Sequence, residues 1–353
     1  MSNLFTRLLN ERAYLLADGA LGTNLFSMGL QTGDAPELWN IDHPERIADL
    51  AQQFIDAGSD ILLTNSFGGT RFRLKLHKSE ERVHELNYAA AQIIRKLADA
   101  SERDIVVAGS MGPTGEIFEP TGTLTYDEAF AAFKEQADAL KDGGVDVLWI
   151  ETISATEEAK VAYDAAVSTG LPVVYTMSID TNGRTMMGVT PADLIQLGSQ
   201  FEQPPGACGT NCGVGAAEVV AAIMNMKIAA DQNQLEPVLV AKANCGIPEY
   251  IDGKIVYSGT PELMAQYARM VVDAGARIIG GCCGTTPTHI AAMRKALDGY
   301  QAGEKPSLET LVQVLGEVSS GAKAQLGGDL SVAGGSFSGG GERRSRRGSR
   351  RKS

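Results

Sequence analysis

The sequence predicts a (β/α)8 barrel over residues 1–317, followed by a disordered tail over 318–353. Three observations carry this. Eight short apolar runs recur along the chain, separated by segments of helix length. Most runs are rich in Val, Ile or Leu without alternation, as parallel strands covered on both faces should be. The intervening segments carry helical start and stop signals, with proline in the first turn and glycine after the last.

The runs are YLLAD (14–18), DILLTN (60–65), DIVVAGS (104–110), DVLWIET (146–152), PVVYTMS (172–178), ACGTNC (207–212), PVLVAKAN (237–244) and RIIGGCC (277–283). The sixth has little bulk and is assigned partly by its position. PERIADLAQQFIDAG (44–58) and PELMAQYARMVVDAG (261–275) each open on Pro-Glu and close on Ala-Gly just before a strand. A final helix, PTHIAAMRKALDGY, and a short amphipathic piece, SLETLVQVLGEV, follow the eighth run. A doubly wound sheet is the alternative, but it seldom needs eight strands and usually has a phosphate-binding glycine turn after the first.

Composition narrows the function. With 44% hydrophobic and 21% charged residues, the chain can bury a sizeable core. A net charge of −12 argues against a barrel that binds nucleic acid. The segment 342–353, ERRSRRGSRRKS, holds seven Lys or Arg and one Glu, a local balance of +6 that leaves −18 on the rest. This basic end suits an acidic partner or RNA, or serves as a solubilising extension. Residues 318–341 are Gly/Ser-rich and read as a flexible linker. An odd, sparse set of five cysteines and a start without the apolar stretch of a secretion signal point to a reducing cytoplasm, and no segment approaches a membrane span.

In a (β/α)8 barrel the active site forms at the carboxyl ends of the strands. The polar residues at those ends are Asp18, Asn65, Glu151, Cys212, Cys282 and Cys283. Neighbouring cysteines make a poor disulfide but can both direct thiolates at one soft cation. Three cysteine ligands leave one position of a tetrahedral zinc site open, the arrangement of a catalytic zinc. The competing reading is a redox couple of Cys282 and Cys283, although such motifs usually separate the thiols by two residues. Asn65 and Asn211 either orient ligands or hydrogen-bond turns. Cys208 and Cys245 read as packing residues.

The motifs GTNCGVG and GGCCGTTPTHI, preceded by DGALGTNL and TNSFGGTRFRL, resemble those of the zinc-dependent homocysteine S-methyltransferases. That family includes betaine–homocysteine methyltransferases and the homocysteine-binding module of cobalamin-dependent methionine synthase. The resemblance runs from about residue 11 to 300 and takes in GPTGE (112–116) and WIET (149–152). It implies a (β/α)8 fold, Zn2+ on Cys212, Cys282 and Cys283, and homocysteine as methyl acceptor. It further implies that Asp18 and Glu151 clamp the homocysteine ammonium, while the N–H groups of Gly19 and Ala20 receive its carboxylate.

A free thiol has a pKa of about 8.5, so metal coordination is what supplies thiolate at neutral pH. An in-line displacement then needs no general base, which fits the lack of histidine at any expected strand end. The expected donor is small and freely diffusing, glycine betaine first. A methyl-corrinoid carried by a partner protein comes next and S-methylmethionine third, and the chain could act as an oligomer. The animal betaine enzymes have tyrosines where this chain has Gly68 and Thr152. Trp39 and Tyr175 either supply a different aromatic cage around a quaternary ammonium or, the favoured reading, pack a loop and the barrel wall respectively.

Overall fold

The computed structural model describes residues 3–180, 182–246, 248–251 and 254–329. Eight parallel strands form the barrel: β1 (Leu15–Leu16), β2 (Ile61–Leu63), β3 (Val106–Met111), β4 (Val147–Ile153), β5 (Val173–Met177), β6 (Ala207–Cys212), β7 (Leu239–Ala243) and β10 (Ala276–Gly281). Their order is β1-β10-β7-β6-β5-β4-β3-β2. The sheet closes through a parallel bridge between Ala17 and Ile61, reinforced where Asp18 N–H donates to the Ile61 carbonyl at 3.0 Å. The expected strands are all present, including the sixth. The first run is cut to two laddered residues, because beyond Leu16 that edge is made by the bridge alone.

The period-two geometry of the strands divides their side chains between two cores. Leu15, Ile61, Val106, Val147, Val174 and Val240 point inward and fill the barrel. Residues such as Leu16, Leu62, Val107, Leu148, Tyr175 and Ala241 point outward against the helices. The helix Leu4–Glu11 inserts Phe5, Leu8 and Leu9 into the inner core, so it plugs the end of the barrel where the strands begin. The opposite end is left to the loops. The helix Pro44–Asp56 has proline in its first turn, as its sequence requires, and Pro261–Asp273 adds a Thr260 hydroxyl that caps Leu263 N–H.

Two elements depart from expectation. A hairpin of β8 (Pro248–Ile251) and β9 (Lys254–Tyr257) stands between β7 and the following helix, where the sequence gives no alternating apolar pattern. Within the stretch expected to be a linker, Ser320–Leu326 forms a helix against the barrel wall. Small side chains make that contact: Ala322 is buried, and Asn182 accepts from Gly321 N–H at 2.6 Å. The basic segment 342–353 lies outside the described residues. Among the described residues, no helix is long and apolar enough to cross a membrane.

Because Leu8 is fully buried inside the barrel, Leu8→Ala should lower the unfolding free energy by about 2–5 kcal/mol in chemical denaturation. A change below 1 kcal/mol would mean that the plug does not seal the barrel.

Candidate active site

A cavity of about 400 Å³ opens at the carboxyl ends of the strands. At its base lie Cys212 from the end of β6 and Cys282 with Cys283 just past β10. Their sulfurs fall within 4.8 Å of one another, with Cys212 Sγ 3.9 Å from Cys283 Sγ. The backbone works to achieve this. Cys212 sits at φ 63°, in the left-handed region that side chains with a Cβ rarely adopt, and so does Thr152 across the rim. Such strain persists only where the surroundings hold it, and it clusters at functional sites.

The surroundings are specific. Asn211, fully buried, accepts from Thr152 N–H (2.8 Å) and from the Thr176 hydroxyl (2.7 Å). Its amide nitrogen donates to the Thr152 hydroxyl at 2.7 Å and lies 3.9 Å from Cys282 Sγ. One side chain thus ties the ends of β4, β5 and β6 to a cysteine. Cys283 N–H donates to Asn244 Oδ1 at 3.0 Å, and Cys282 N–H donates to the Ala243 carbonyl at 2.7 Å. From the hairpin, Tyr257 packs on Gly284, which has φ 79° and no room for a Cβ. Mutual hydrogen bonding of the thiols, followed by burial, leaves Cys212 and Cys283 pushed up to about 12 and Cys282 raised as well. Cys208 and Cys245 are buried in the outer core, as expected of packing residues.

The carboxylates form a different arrangement from the implied clamp. Lys242 on β7, absent from the expectation, is 2% exposed and forms an ion pair with Asp18, 1% exposed, at 2.8 Å. Leu63 N–H occupies the other oxygen of Asp18 at 2.8 Å. Glu151 accepts from the Ser110 hydroxyl and feels the charge of Lys242. Burial alone would lower the pKa of Lys242, but Asp18 and Glu151 outweigh it and raise it, so the side chain is an ammonium. Its Nζ also lies 5.7 Å over the Trp149 ring. The cavity wall is therefore Lys242 and Glu151, with Asp18 behind. Ala20 N–H donates to the Thr285 carbonyl at 3.2 Å, so it is already engaged; Gly19 N–H makes no hydrogen bond among the described residues.

The sequence model described as homocysteine S-methyltransferase matches residues 15–297, which span every barrel strand and all three cysteines. The chain belongs to the homocysteine S-methyltransferase family. The fold of the homocysteine methyltransferase MmuM from Escherichia coli agrees. Its apo form superposes with a TM-score of 0.66 at 24% identity, covering 83% of this chain and 100% of that one. Its metallated form gives 0.67 at 25% identity, over 83% and 99%.

For this homocysteine S-methyltransferase, a methyltransferase by family, the candidate aromatic cage is not formed. Trp39 is buried against His43 and Arg46, outside the cavity lining. Tyr175 faces the helices, where its hydroxyl donates to the Leu194 carbonyl at 2.6 Å and its ring meets Phe201. Asn65 does line the cavity, but its amide donates to the Pro36 carbonyl (2.7 Å) and to Asn40 Oδ1 (3.0 Å), so it fixes the short helical segment Pro36–Asp42. Gly68 leaves space that Glu37 fills: a Cβ there would lie 2.9 Å from Glu37 Oε1, which accepts from Gly68 N–H.

Lys242→Met leaves Asp18 charged and buried without its partner, so it should destabilise the fold by about 3–5 kcal/mol. The double variant Asp18→Asn/Lys242→Met should recover most of that loss. Urea denaturation of the three proteins checks it, and an additive double variant would contradict the pairing.

Proposed function

We propose that this enzyme is a zinc-dependent homocysteine S-methyltransferase that forms methionine with glycine betaine as methyl donor. The observation that carries the metal is the sulfur triangle. Zinc–sulfur bonds of about 2.3 Å at tetrahedral angles separate the ligands by about 3.8 Å, close to the 3.9 Å between Cys212 and Cys283. The three thiols fit one ion, and they converge from two strand ends instead of standing as an isolated vicinal pair, which favours a metal over a redox couple. When bound, zinc would supply the charge that keeps cysteine and homocysteine sulfur as thiolates at neutral pH.

The residues of the chain supply position. Cys212, Cys282 and Cys283 direct three sulfurs at one point and leave a side open to the cavity. Glu151 receives the ammonium of homocysteine, because Asp18 already answers to Lys242. The cation of Lys242 and the Gly19 N–H suit the substrate carboxylate. Thus held, the homocysteine thiolate attacks a methyl carbon of betaine in line. The C–N pair stays with nitrogen, yielding methionine and dimethylglycine, and no proton need be removed by a base. A cavity of about 400 Å³ suits two such small molecules. A cytoplasmic setting would keep all five cysteines reduced.

Elemental analysis of the purified protein should find one zinc per chain. Cys212→Ser and Cys283→Ser should each lose metal and turnover while retaining the far-ultraviolet circular dichroism of the barrel, since the site is an addition to the scaffold. Full activity without metal would defeat the proposal. Glu151→Gln removes a charged hydrogen bond, so homocysteine affinity should fall by roughly tenfold to a hundredfold by titration calorimetry. An effect confined to the donor would reassign Glu151. A panel of betaine, S-methylmethionine and methylcobalamin should give turnover with betaine; turnover with methylcobalamin alone would point to a corrinoid-carrying partner.

A further inference from the structure

One arginine in the cavity differs from the rest. Among the described residues, every other arginine has a hydrogen bond or an ion pair; Arg71, two positions earlier on the same short helix, holds Glu135 at 2.9 Å. The guanidinium of Arg73 has neither, although the residue is half-buried and lines the cavity that holds the three thiols. It is nonetheless fixed in place. Its backbone N–H donates to Thr70 Oγ1 at the helix start, and its side chain lies against Gly115 in the turn after β3. That turn is pinned by Glu158, which accepts from Thr114 N–H at 2.8 Å and from the Thr114 hydroxyl at 2.7 Å.

The same cavity carries the opposite charge. Glu37 sits behind Gly68, and Phe67 and Phe26 line the space beside it, 38% and 49% exposed. Asp34, at the same lining, adds a further negative charge. A planar guanidinium without a partner is best satisfied by a carboxylate, which it can grip with two parallel N–H donors. Ring faces and a nearby carboxylate suit a cation that carries no N–H of its own, because such a cation is held by charge and contact alone. A cavity with both features describes a zwitterion.

We infer that Arg73 binds the carboxylate of the methyl donor, with the donor's positive centre beside Glu37 and Phe67 and a methyl turned towards the cysteines. The inference rests on the small-donor reading above and names the residue that selects the donor within it. Arg73 is a specificity residue and takes no part in the bond exchange: the methyl leaves nitrogen or sulfur for the homocysteine thiolate, and the electron pair remains on the donor.

The test uses the full zinc-loaded enzyme at saturating homocysteine, with three donors. Glycine betaine and dimethylsulfonioacetate share the carboxylate but differ in the onium atom; choline keeps the ammonium and replaces the carboxylate by an alcohol. The wild type should use betaine well and choline poorly. Arg73→Gln should raise the betaine KM by about tenfold to a hundredfold and erase the preference over choline, with the homocysteine KM and zinc content unchanged. Arg73→Lys should restore part of the preference, which a purely structural role would not predict. An unaltered betaine-to-choline ratio in Arg73→Gln overturns the inference and leaves betaine as donor intact. If dimethylsulfonioacetate alone supports turnover and its KM depends on Arg73, betaine falls and the carboxylate receptor stands. Turnover confined to methylcobalamin removes both.

Discussion

Three sulfurs gathered at one point, with no cation among them in the chain, set the terms for everything else in the cavity. Their proximity is unfavourable for thiolates, and burial adds to it, which pushes Cys212 and Cys283 up to about 12. The barrel imposes this meeting through local strain. Cys212 adopts a left-handed backbone at the tip of β6, and Cys282 and Cys283 follow β10 with their N–H groups tied to Ala243 and Asn244. Geometry that costs strain and leaves like groups in contact is informative, because nothing in folding alone rewards it. The family to which the chain belongs gives that arrangement its purpose.

A second constraint is the ammonium of Lys242, held among Asp18, Glu151 and the Trp149 ring. A lone carboxylate at the position of Asp18 would be buried without compensation. Lys242 compensates it, which in the function proposed above leaves the substrate ammonium to Glu151. Burial pushes the carboxyls of Asp18 and Glu151 above their usual range and Lys242 draws both back, so a second cation beside Glu151 favours its ionised form; in the proposed function the substrate ammonium is that cation.

Much of this was legible in the sequence. Non-alternating apolar runs marked all eight strands, because a parallel barrel buries both faces. The cysteines stood out because their position at strand ends follows directly from those runs. Lys242 did not, since a lysine inside PVLVAKAN carries no mark of its partners: Asp18 and Glu151 lie on distant strands and meet it only once the barrel closes. The fold partners of Asp18 and Ala20 were hidden for the same reason, since Lys242 and the Thr285 carbonyl reach them only through the fold. The hairpin ending at Tyr257 lacked alternation, and the helix Ser320–Leu326 was hidden in a Gly/Ser-rich stretch whose small residues in fact allow close approach to the wall. Tyr175 was an ambiguous aromatic, because a one-residue change of side in a strand decides between cavity and helix layer.

Charge accounting also bears on the donor. In the function proposed above, the half of the cavity around the cysteines would be completed by a metal ion and by homocysteine, whose thiol, ammonium and carboxylate would each find a partner. The other half offers Glu37 and Arg73, opposite in sign and not joined in an ion pair. If the donor were a bare cation, Arg73 would act on Glu37 through charge alone and its N–H groups would gain no acceptor from the ligand. If it were a simple anion, it would sit beside Glu37. A molecule with both charges satisfies each group, and that pairing offsets the cost of desolvating its two charged ends. Methyl transfer turns the onium into a neutral amine or thioether, so the cation-binding half loses its hold once reaction occurs. The carboxylate contact at Arg73 is the same before and after, which makes it a contact for recognition, whereas the attraction at Glu37 and Phe67 changes along the reaction and favours product release.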